Sequence, residues 1–502
     1  MKHFAAAALA AAVLLPACSS PQPGGKPVTD LPIAITDAGH PRPPFAFSPE
    51  DEKFLEEIQR GCFNYFWNAG KGPGHLVPDR TSIPWVSVAG VGFQLASLPI
   101  GVERGWVSRE DAATRANAIL DLMARDPAIR HEGVFQHFIN PHTGGPHNSD
   151  HLESVASTID AALFFAGALT AASYFGGDVA TKADSLFAQV NWKPYVVGDD
   201  ARHDYEKGYI SLGWKPDDPK NLLGSGKRLP YGWVDNGCEH RLVAFLAVAA
   251  PLEEHRLPVS AYYGLRRGLG QDPRIGPMVF FPYSGALFTA QFSHCFIAYA
   301  GMGADDPAAH GVANRVRVDW WENSRRHTLL HQLKCAENPK KLSNLGGRAW
   351  GLSASDVPGG YGVYGVFPEP LSPEWLRAEY DYPTFRATDN YGDGTIAPYA
   401  AGSSILFDPA GALDALRYYR ELAQKAPALW QDPATGGWGF ADSFRVNEDG
   451  TVWVGPDHLP IDHGPMMLAI ENARTGLVWK LFHSHPAVRA AVTRLGMPIT
   501  KQ

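Results

Sequence analysis

Residues His147–Phe175 read HNSDHLESVASTIDAALFFAGALTAASYF. The stretch opens polar, with the carboxylates Asp150 and Glu153, and then turns into a helix whose only charge between Val155 and Phe175 is Asp160. Ile159, Leu163, Phe164 and Gly167 lie one or two turns from that aspartate, so small and apolar side chains cover every face of the helix. A helix apolar all round packs inside a protein, and a carboxylate held there needs a partner or a task. Ser157-Thr158-Ile159-Asp160 fits a capping box, with Ser157 as N-cap and Asp160 reaching back from the third position. Capping does not exclude lining a site, because barrel-like folds gather their chemistry at helix ends.

Working outward, the chain has 502 residues, enough for one large domain or up to three. Charged residues make up 19% and aromatics 11%, with 51 Gly and 41 Pro, which describes a globular protein with long structured loops. The net charge is −8 and no run of Lys or Arg stands out, which argues against a nucleic-acid partner. Fourteen Trp and eighteen Tyr are many for so few charges. Flat amphipathic rings suit either a large aromatic core or a sugar-binding cleft.

The N-terminus reads as a targeting segment. Met1-Lys2-His3 is its basic end, Phe4–Leu15 its apolar stretch, and Leu15-Pro16-Ala17-Cys18 its processing site. That ending resembles a bacterial lipobox, which implies cleavage before Cys18 and lipidation of that cysteine. Ser19-Ser20 suits outer-membrane sorting, so a periplasmic or outer-membrane lipoprotein is expected, held to the membrane only by its lipid. Residues 19–48, rich in Pro, Gly and Ser, are expected to form a tether, and 49–502 the folded domain. Cys62, Cys238, Cys295 and Cys335 are expected to be free.

Ser48 is expected to cap a first helix whose Phe54, Ile58, Cys62 and Tyr65 fall three or four apart. Further helical patterns run over Val86–Ile100, Ser108–Arg125, 155–175, 178–190, Gly237–Ala250, Val259–Leu269, Ala286–Met302, Asp306–Asn338, Ile396–Phe407, Ala410–Ala426, Asp462–Thr475 and Ala487–Leu495. Asn191–Pro230 is polar and spotted with Gly and Pro, and reads as a long loop. Met278–Phe281, Gly360–Val366 and Thr451–Val454 read as short hairpin strands. About a dozen helices without a βαβ rhythm or a fixed-period repeat predict an all-α fold. That count suits helices paired into a ring, with loops on one rim forming a cleft.

No GxSxG elbow, HExxH or P-loop is present. His142, His147 and His151 surround Asp150, but solvent-facing loop histidines explain them better than a metal, and no metal or organic cofactor is expected. What remains is a set of acids at helix entrances. Glu239 lies in YGWVDNGCEHRLVAFLAV beside Tyr231 and Trp233, Asp393 in DNYGDGTIAPYAAGSS, Asp319 before Trp320-Trp321-Glu322-Asn323, and Asp462 in PIDHGPMMLAIEN. Asp before a helix is an ordinary cap. Several such acids around one rim, however, would converge on a common pocket. Hydrolysis of a glycosidic bond needs one carboxylic acid for the leaving oxygen and one carboxylate for water or carbon. An apolar setting, as Glu153 or Glu239 has, raises a carboxyl pKa and suits the acid; a glycine-rich loop, as around Asp393, suits the base.

The stretches NYFWNAG, VSVAGVGFQLASLPIGVERGWVSREDA, GVFQHFINPHTG, STIDAALFFAGALTAASYF, RAWGLSASDVPGGYGVYG, DGTIAPYAAGSSILFDP, WGFADSFRVN and IDHGPMMLAIENARTGLVW occur in this order along residues 49–497. Together they resemble the glycoamylase-like domain that includes glycoside hydrolase family 144, the bacterial β-1,2-glucanases. The resemblance implies an (α/α)6 barrel, or toroid, with long loops and short hairpins on its rim, and inverting hydrolysis of β-1,2-linked glucan without a cofactor. Carried over residue by residue, the DGT motif makes Asp393 the expected base, and the STID motif brings Asp160 to the site. Where the family pattern has a glutamate two residues before the STID serine, this chain has Val155. The general acid is therefore expected at Glu153, then Asp150, with Glu239 retained. Arg80, Tyr231, Trp233, His294, Trp350, Trp438 and Asp462 are the expected sugar contacts. A monomer acting on β-glucan chains is expected, either internally or by releasing disaccharides. Two other readings stand beside it: a glycan-binding lipoprotein without catalysis, and a polysaccharide lyase on a helical toroid.

Overall fold

The computed structural model describes residues 34–36, 38–147, 155–216, 226–371 and 388–500. Its α-helices are α1 (Pro49–Asn68), α2 (Val88–Glu103), α3 (Arg109–Arg125), α4 (Thr158–Phe175), α5 (Gly177–Ala188), α6 (Cys238–Ala249), α7 (Ser260–Tyr263), α8 (Trp320–Glu337), α9 (Pro398–Ser403), α10 (Pro409–Leu422), α11 (Pro460–Arg474), α12 (Leu477–Ser484) and α13 (Pro486–Arg494). Side-chain caps start several of them: Ser48, Ser108, Ser157, Asp319 and Asp408 each accept a backbone N–H from the first turn that follows.

The most apolar helices are buried, and they make an inner ring. α2 packs on α4, α4 on α6, α9 on α11, and α11 back on α2. The segment Leu287–Gly301 fills the sixth place, between α6 and α9, where Gln291 Nε2 donates to the Ala400 carbonyl at 2.8 Å. α1, α3, α5, the short α7, α8 and α10 lie outside, giving an (α/α)6 barrel. Returns from inner to outer helices are short, Arg104–Ser108 after α2 and Gly176 alone after α4. Long segments precede the inner members, at 69–87, 126–157, 189–237, 264–286, 338–397 and 423–459. This asymmetry places the inner N-termini and the described parts of the long segments on one rim. α12 and α13 close against α4 and α6 instead, with Phe482 packed between Phe245 and Phe296.

The closest packing is backbone against backbone. A Cβ placed on Gly167 of α4 would stand 1.8 Å from the Gly92 carbonyl oxygen, and one on Gly92 would stand 2.3 Å from the Leu163 carbonyl oxygen. Only hydrogen fits there, which is why α2 and α4 approach so closely. Cys62, Cys238, Cys295 and Cys335 are free and buried, as expected.

The three expected hairpins are present. Leu269–Asp272 pairs with Gly276–Val279, Ala354–Val357 with Gly360–Val363, and Phe444–Val446 with Val452–Val454, all antiparallel. Elsewhere the structure departs from the sequence reading. Ala286–Met302 is not one helix but three short 3-10 turns, Leu287–Ala290, Phe292–Cys295 and Tyr299–Gly301. The N–H of Ser293 goes to Cys238 Sγ (3.1 Å) and that of Ala298 to His483 Nε2 (3.0 Å), so the i→i−4 ladder cannot run through. In Val259–Leu269 only α7 is helical, because Arg266 returns its N–H to the Val234 carbonyl and its guanidinium to buried Asp235. Asp306–Asn338 holds one 3-10 turn, Ala308–His310, and becomes α-helical only at Trp320. Before it, Val318 donates to Asp305 and pairs with Ile35. α12 has no counterpart among the expected helices, and Asn191–Pro230 supplies two strands of a three-stranded sheet, Ala156–Ser157 with Gly213–Lys215 and Lys227–Arg228.

The tether does not extend to residue 48. Ile35 is buried against Val318, Arg42 pairs with Asp319 at 2.6 Å, and the Phe45 N–H reaches the Ala473 carbonyl. Proline-rich backbone runs extended and leaves its side chains free to dock.

Gly167→Ala is expected to force α2 and α4 apart and to lower stability by about 1–3 kcal/mol, the usual range for overpacking. A thermal melt beside wild type checks this; an unchanged melting temperature would mean that the two backbones have room to relax.

Candidate active site

Two of the rim acids stand side by side at inner-helix entrances. Asp160, 7% exposed, lies in the first turn of α4. The Ser157 hydroxyl donates to its Oδ2, and His137 Nε2 stands 3.5 Å from its Oδ1. The cap runs through the serine side chain both ways: the Asp160 N–H goes to Ser157 Oγ, and the Asp160 carboxylate takes the serine hydroxyl. Burial raises the Asp160 pKa, against the opposing pull of His137 and Ser157.

Glu239 occupies the first turn of α6 and is half-buried. It makes no hydrogen bond to any described residue. Burial first, and then the neighbouring Asp160 charge, push its pKa up to about 8. No described group offsets that rise, so Glu239 holds its proton at neutral pH, whereas at Asp160 burial is opposed by His137 and Ser157. Trp233 stands between the two helix entrances. Its Nε1 donates to Thr158 Oγ1 at 2.9 Å, and its ring lies 4.5 Å from that of His240.

The second group of acids gathers around Arg80. Its Nη1 meets Asp356 Oδ1 at 3.0 Å and Asp457 Oδ2 at 3.8 Å, its Nε meets Asp79 Oδ2 at 3.6 Å, and its Cζ lies 5.1 Å from the Tyr361 ring centre. Asp457 is fixed by Thr81 and Ser82, which ties the segment before α2 to the one before α11. Behind Arg80, Asp442 Oδ2 accepts the Asp356 N–H at 2.5 Å, and the Asp442 carboxylate accepts a hydrogen bond from the Asp462 carboxyl. Burial raises Asp356 to about 7 and raises Asp442 and Asp462 as well; Asp462 is raised furthest and keeps the shared proton longer. One oxygen of each of the three, Asp356 Oδ2, Asp442 Oδ1 and Asp462 Oδ2, has no protein partner among the described residues. The two groups are in electrostatic contact, since the Asp79 carboxylate beside Arg80 also acts on Asp160.

Of the residues expected from sequence, Asp160, Glu239, Trp233, Arg80 and Asp462 therefore share one cleft. Trp438 lies at its edge, against Tyr65 and His458. Tyr231 is half-buried and faces the charges of Arg202 and Glu206. Three expectations are corrected. His294 is 0% exposed, bound to Ser324 and packed on Tyr299 and Phe407, and therefore belongs to the core. Trp350, 1% exposed, exchanges backbone hydrogen bonds with the Tyr419 hydroxyl. Asp319 caps outer helix α8 and pairs with Arg42. Asp393 shares no contact with the cleft acids: Arg445 meets it at 2.7 Å, the Thr395 N–H and hydroxyl cap it, and its side chain is 29% exposed. Glu153 and Asp150 lie outside the described residues.

Sequence reasoning passed over Asp79, His137, Asp356, Asp442 and Asp457. Asp356 and Asp442 stand inside the stretches SASDVPGG and FADSF, each an isolated acid among small or aromatic residues, which was the available signal. No group of three His, Cys, Asp or Glu among the described residues could hold a metal ion. His147 stacks on Trp85 instead, and His151 lies outside the described residues.

The glycoamylase family model, for glucoamylase-like proteins, matches residues 231–486, about half of the chain. The chain belongs to the glycoamylase family. An exo β-1,2-glucooligosaccharide sophorohydrolase from Parabacteroides distasonis is 25% identical over 481 positions, covering 89% of this chain and 58% of the relative. The chain thus spans little more than half of that relative's length. A glucoamylase-like structure from Bacteroides uniformis is 27% identical with a TM-score of 0.69, over 90% of this chain and 98% of that one. An endo-β-1,2-glucanase from Chitinophaga pinensis, solved with sophorotriose and glucose, has the same fold at 24% identity and a TM-score of 0.69, over 90% and 98% of the two chains.

Glu239 carries a pH signature for this glycoamylase-family domain. Its folded pKa of about 8 lies above the ordinary 4.5, so the native state binds a proton that the unfolded chain releases. The resulting stability loss grows as pH rises from about 4.5 to about 8 and then levels off. Glu239→Gln removes that dependence. Its melting temperature is expected to gain on wild type between pH 5 and pH 8, reflecting on the order of a few kcal/mol. Parallel melting curves test this, and an advantage that shrinks with rising pH would contradict a buried, protonated Glu239.

Proposed function

We propose that this domain hydrolyses β-1,2-linked glucan by inversion, with Glu239 as the proton donor. The carrying observation is the Glu239 carboxyl: unpaired, open to the cleft, and protonated at neutral pH because burial and Asp160 both oppose its charge. Trp233, its indole held by Thr158, offers a fixed flat face for a sugar ring beside that acid. The activity of the Parabacteroides distasonis relative supports the β-1,2 linkage.

Asp442 is the water-activating base in this reading. Its Oδ2 is aimed by the Asp356 N–H and its carboxylate accepts from Asp462, which makes Asp442 the acceptor of the pair and suits it to take a proton from water, directly or through a sugar hydroxyl. Asp393 is held in its own turn by Thr395 and Arg445 and lacks contact with these groups. The binding-protein alternative draws on Val155, which stands where the family pattern has a glutamate. That residue is 2% exposed and its carbonyl accepts the His137 N–H, so the position is structural here and Glu239 supplies the acid. A lyase would take a uronate, and a cleft in which Arg80 is already engaged by Asp79, Asp356 and Asp457 has, among the described residues, no free guanidinium for an anionic chain.

Linear β-1,2-glucan is expected to be degraded while β-1,3- and β-1,4-glucans are not, with α-configured reducing ends seen first by NMR. Glu239→Gln and Asp442→Asn are each expected to lose about 10²–10⁴ in kcat, and Asp393→Asn to lose far less. The alkaline limb of kcat/KM is expected near pH 8 and should move to lower pH in Asp160→Asn, because the charge that raises Glu239 is gone. No product from any of the three glucans, from folded wild-type protein, sinks the proposal.

For localisation, we propose a lipoprotein anchored through Cys18 in the periplasm or outer membrane. The support is the basic, apolar and lipobox-like order of residues 1–18. Labelled palmitate should enter the full-length chain and be lost in Cys18→Ser; equal labelling of both proteins excludes that anchor.

A further inference from the structure

A second depression lies over outer helix α1, between the segment that follows α10 and the return that follows α2, and it is lined by none of the cleft acids. It has a volume of about 430 Å³, and its lining includes Arg60, Trp106, Arg420, Trp430, Glu57 and Asp432. The tryptophans form its apolar part, each beside a guanidinium. Arg60 Cζ lies 5.3 Å from the Trp106 ring centre, and Arg420 Cζ 4.7 Å from that of Trp430. Neither arginine makes a hydrogen bond or close ion pair with any described residue. Their planar forks are held by ring stacking alone, with their N–H groups unused. Glu56, also in the lining, is engaged by Arg474 at 2.9 Å. That leaves Glu57 and Asp432 as acceptors opposite two donors.

Unused guanidinium donors, carboxylate acceptors, two indoles and no surplus of either sign in a space of this size suit a neutral polyol. An anion would face Glu57 and Asp432, and an apolar ligand would strand four charged groups. We propose that this depression is a second binding site for neutral glucan chains, separate from the cleft, which keeps polymer on the domain between cuts. The choice of β-1,2-glucan as its ligand rests on the hydrolase reading above; the neutral-glucan chemistry does not.

The test uses Glu239→Gln protein, so that the polymer survives, in native gels cast with linear β-1,2-, β-1,3- or β-1,4-glucan. Adding Arg60→Ala and Arg420→Ala is expected to raise the apparent Kd for β-1,2-glucan at least fivefold. The melting temperature should move little, since neither side chain makes a hydrogen bond or close ion pair with a described residue and each gives up only its contact with an indole. Retardation unchanged by the two substitutions overturns the second site and leaves the hydrolase proposal untouched. No retardation of the parent protein in any of the three gels overturns it as well. Retardation only by the β-1,3 or β-1,4 polymer, lost in the double substitution, keeps the site and overturns the β-1,2 linkage instead.

Discussion

Carboxyl groups crowded out of water cannot all be charged, and the cleft is built around that constraint. Arg80 is the one guanidinium among Asp79, Asp356 and Asp457, and behind it Asp442 and Asp462 share a proton. Across the cleft, Asp160 has His137 and Ser157, while Glu239 has neither. The outcome is a graded set of acids, some held as acceptors and others as donors. A sugar, which presents hydroxyls that both give and take, can be bonded on each side by such a set without metal or cofactor. The barrel makes this tolerable. The first turns of α4, α6 and α11 carry Asp160, Glu239 and Asp462, where free N–H groups and the helix dipole favour negative charge.

That arrangement depends on how the ring is closed. α2 and α4 touch through glycine backbone, which fixes the spacing of the first inner pair and so the position of Asp160 against the segment carrying Asp79 and Arg80. The rim is laced as well. Asp457 binds Thr81 and Ser82, and Ser443 binds the Asp356 carbonyl, so acids arriving from distant parts of the chain are held by one another's segments.

Much of this was legible before any coordinates. Asp160, Glu239 and Asp462 stood out because an acid at the start of an apolar helix has few places to go, and their convergence followed from the ring. The helices with serine caps were placed almost to the residue. What could not be read was which aromatic or ionisable side chain faces inward on a segment buried on all sides. His294 and Trp350 have the residue types of a sugar site and the surroundings of a core. Asp393 sits in a motif that invites a catalytic role, yet its own threonine and Arg445, 52 residues further on, use its oxygens. The departure at Ala286–Met302 has a similar origin. Its periodicity is helical, and only a thiol and an imidazole from other helices, Cys238 and His483, divert its backbone.

The four buried thiols have a practical meaning of their own. None is cross-linked, and burial pushes Cys62, Cys238, Cys295 and Cys335 above the ordinary thiol range. Reducing agents therefore have no bond to break, and the domain can mature in a reducing cytosol as readily as outside it. The same thiols are silent toward alkylating reagents while the barrel is closed. Because they are spread over α1, α6, the 3-10 segment and α8, each becomes a chemical clock for the opening of its own sector, read by mass from the untouched native sequence.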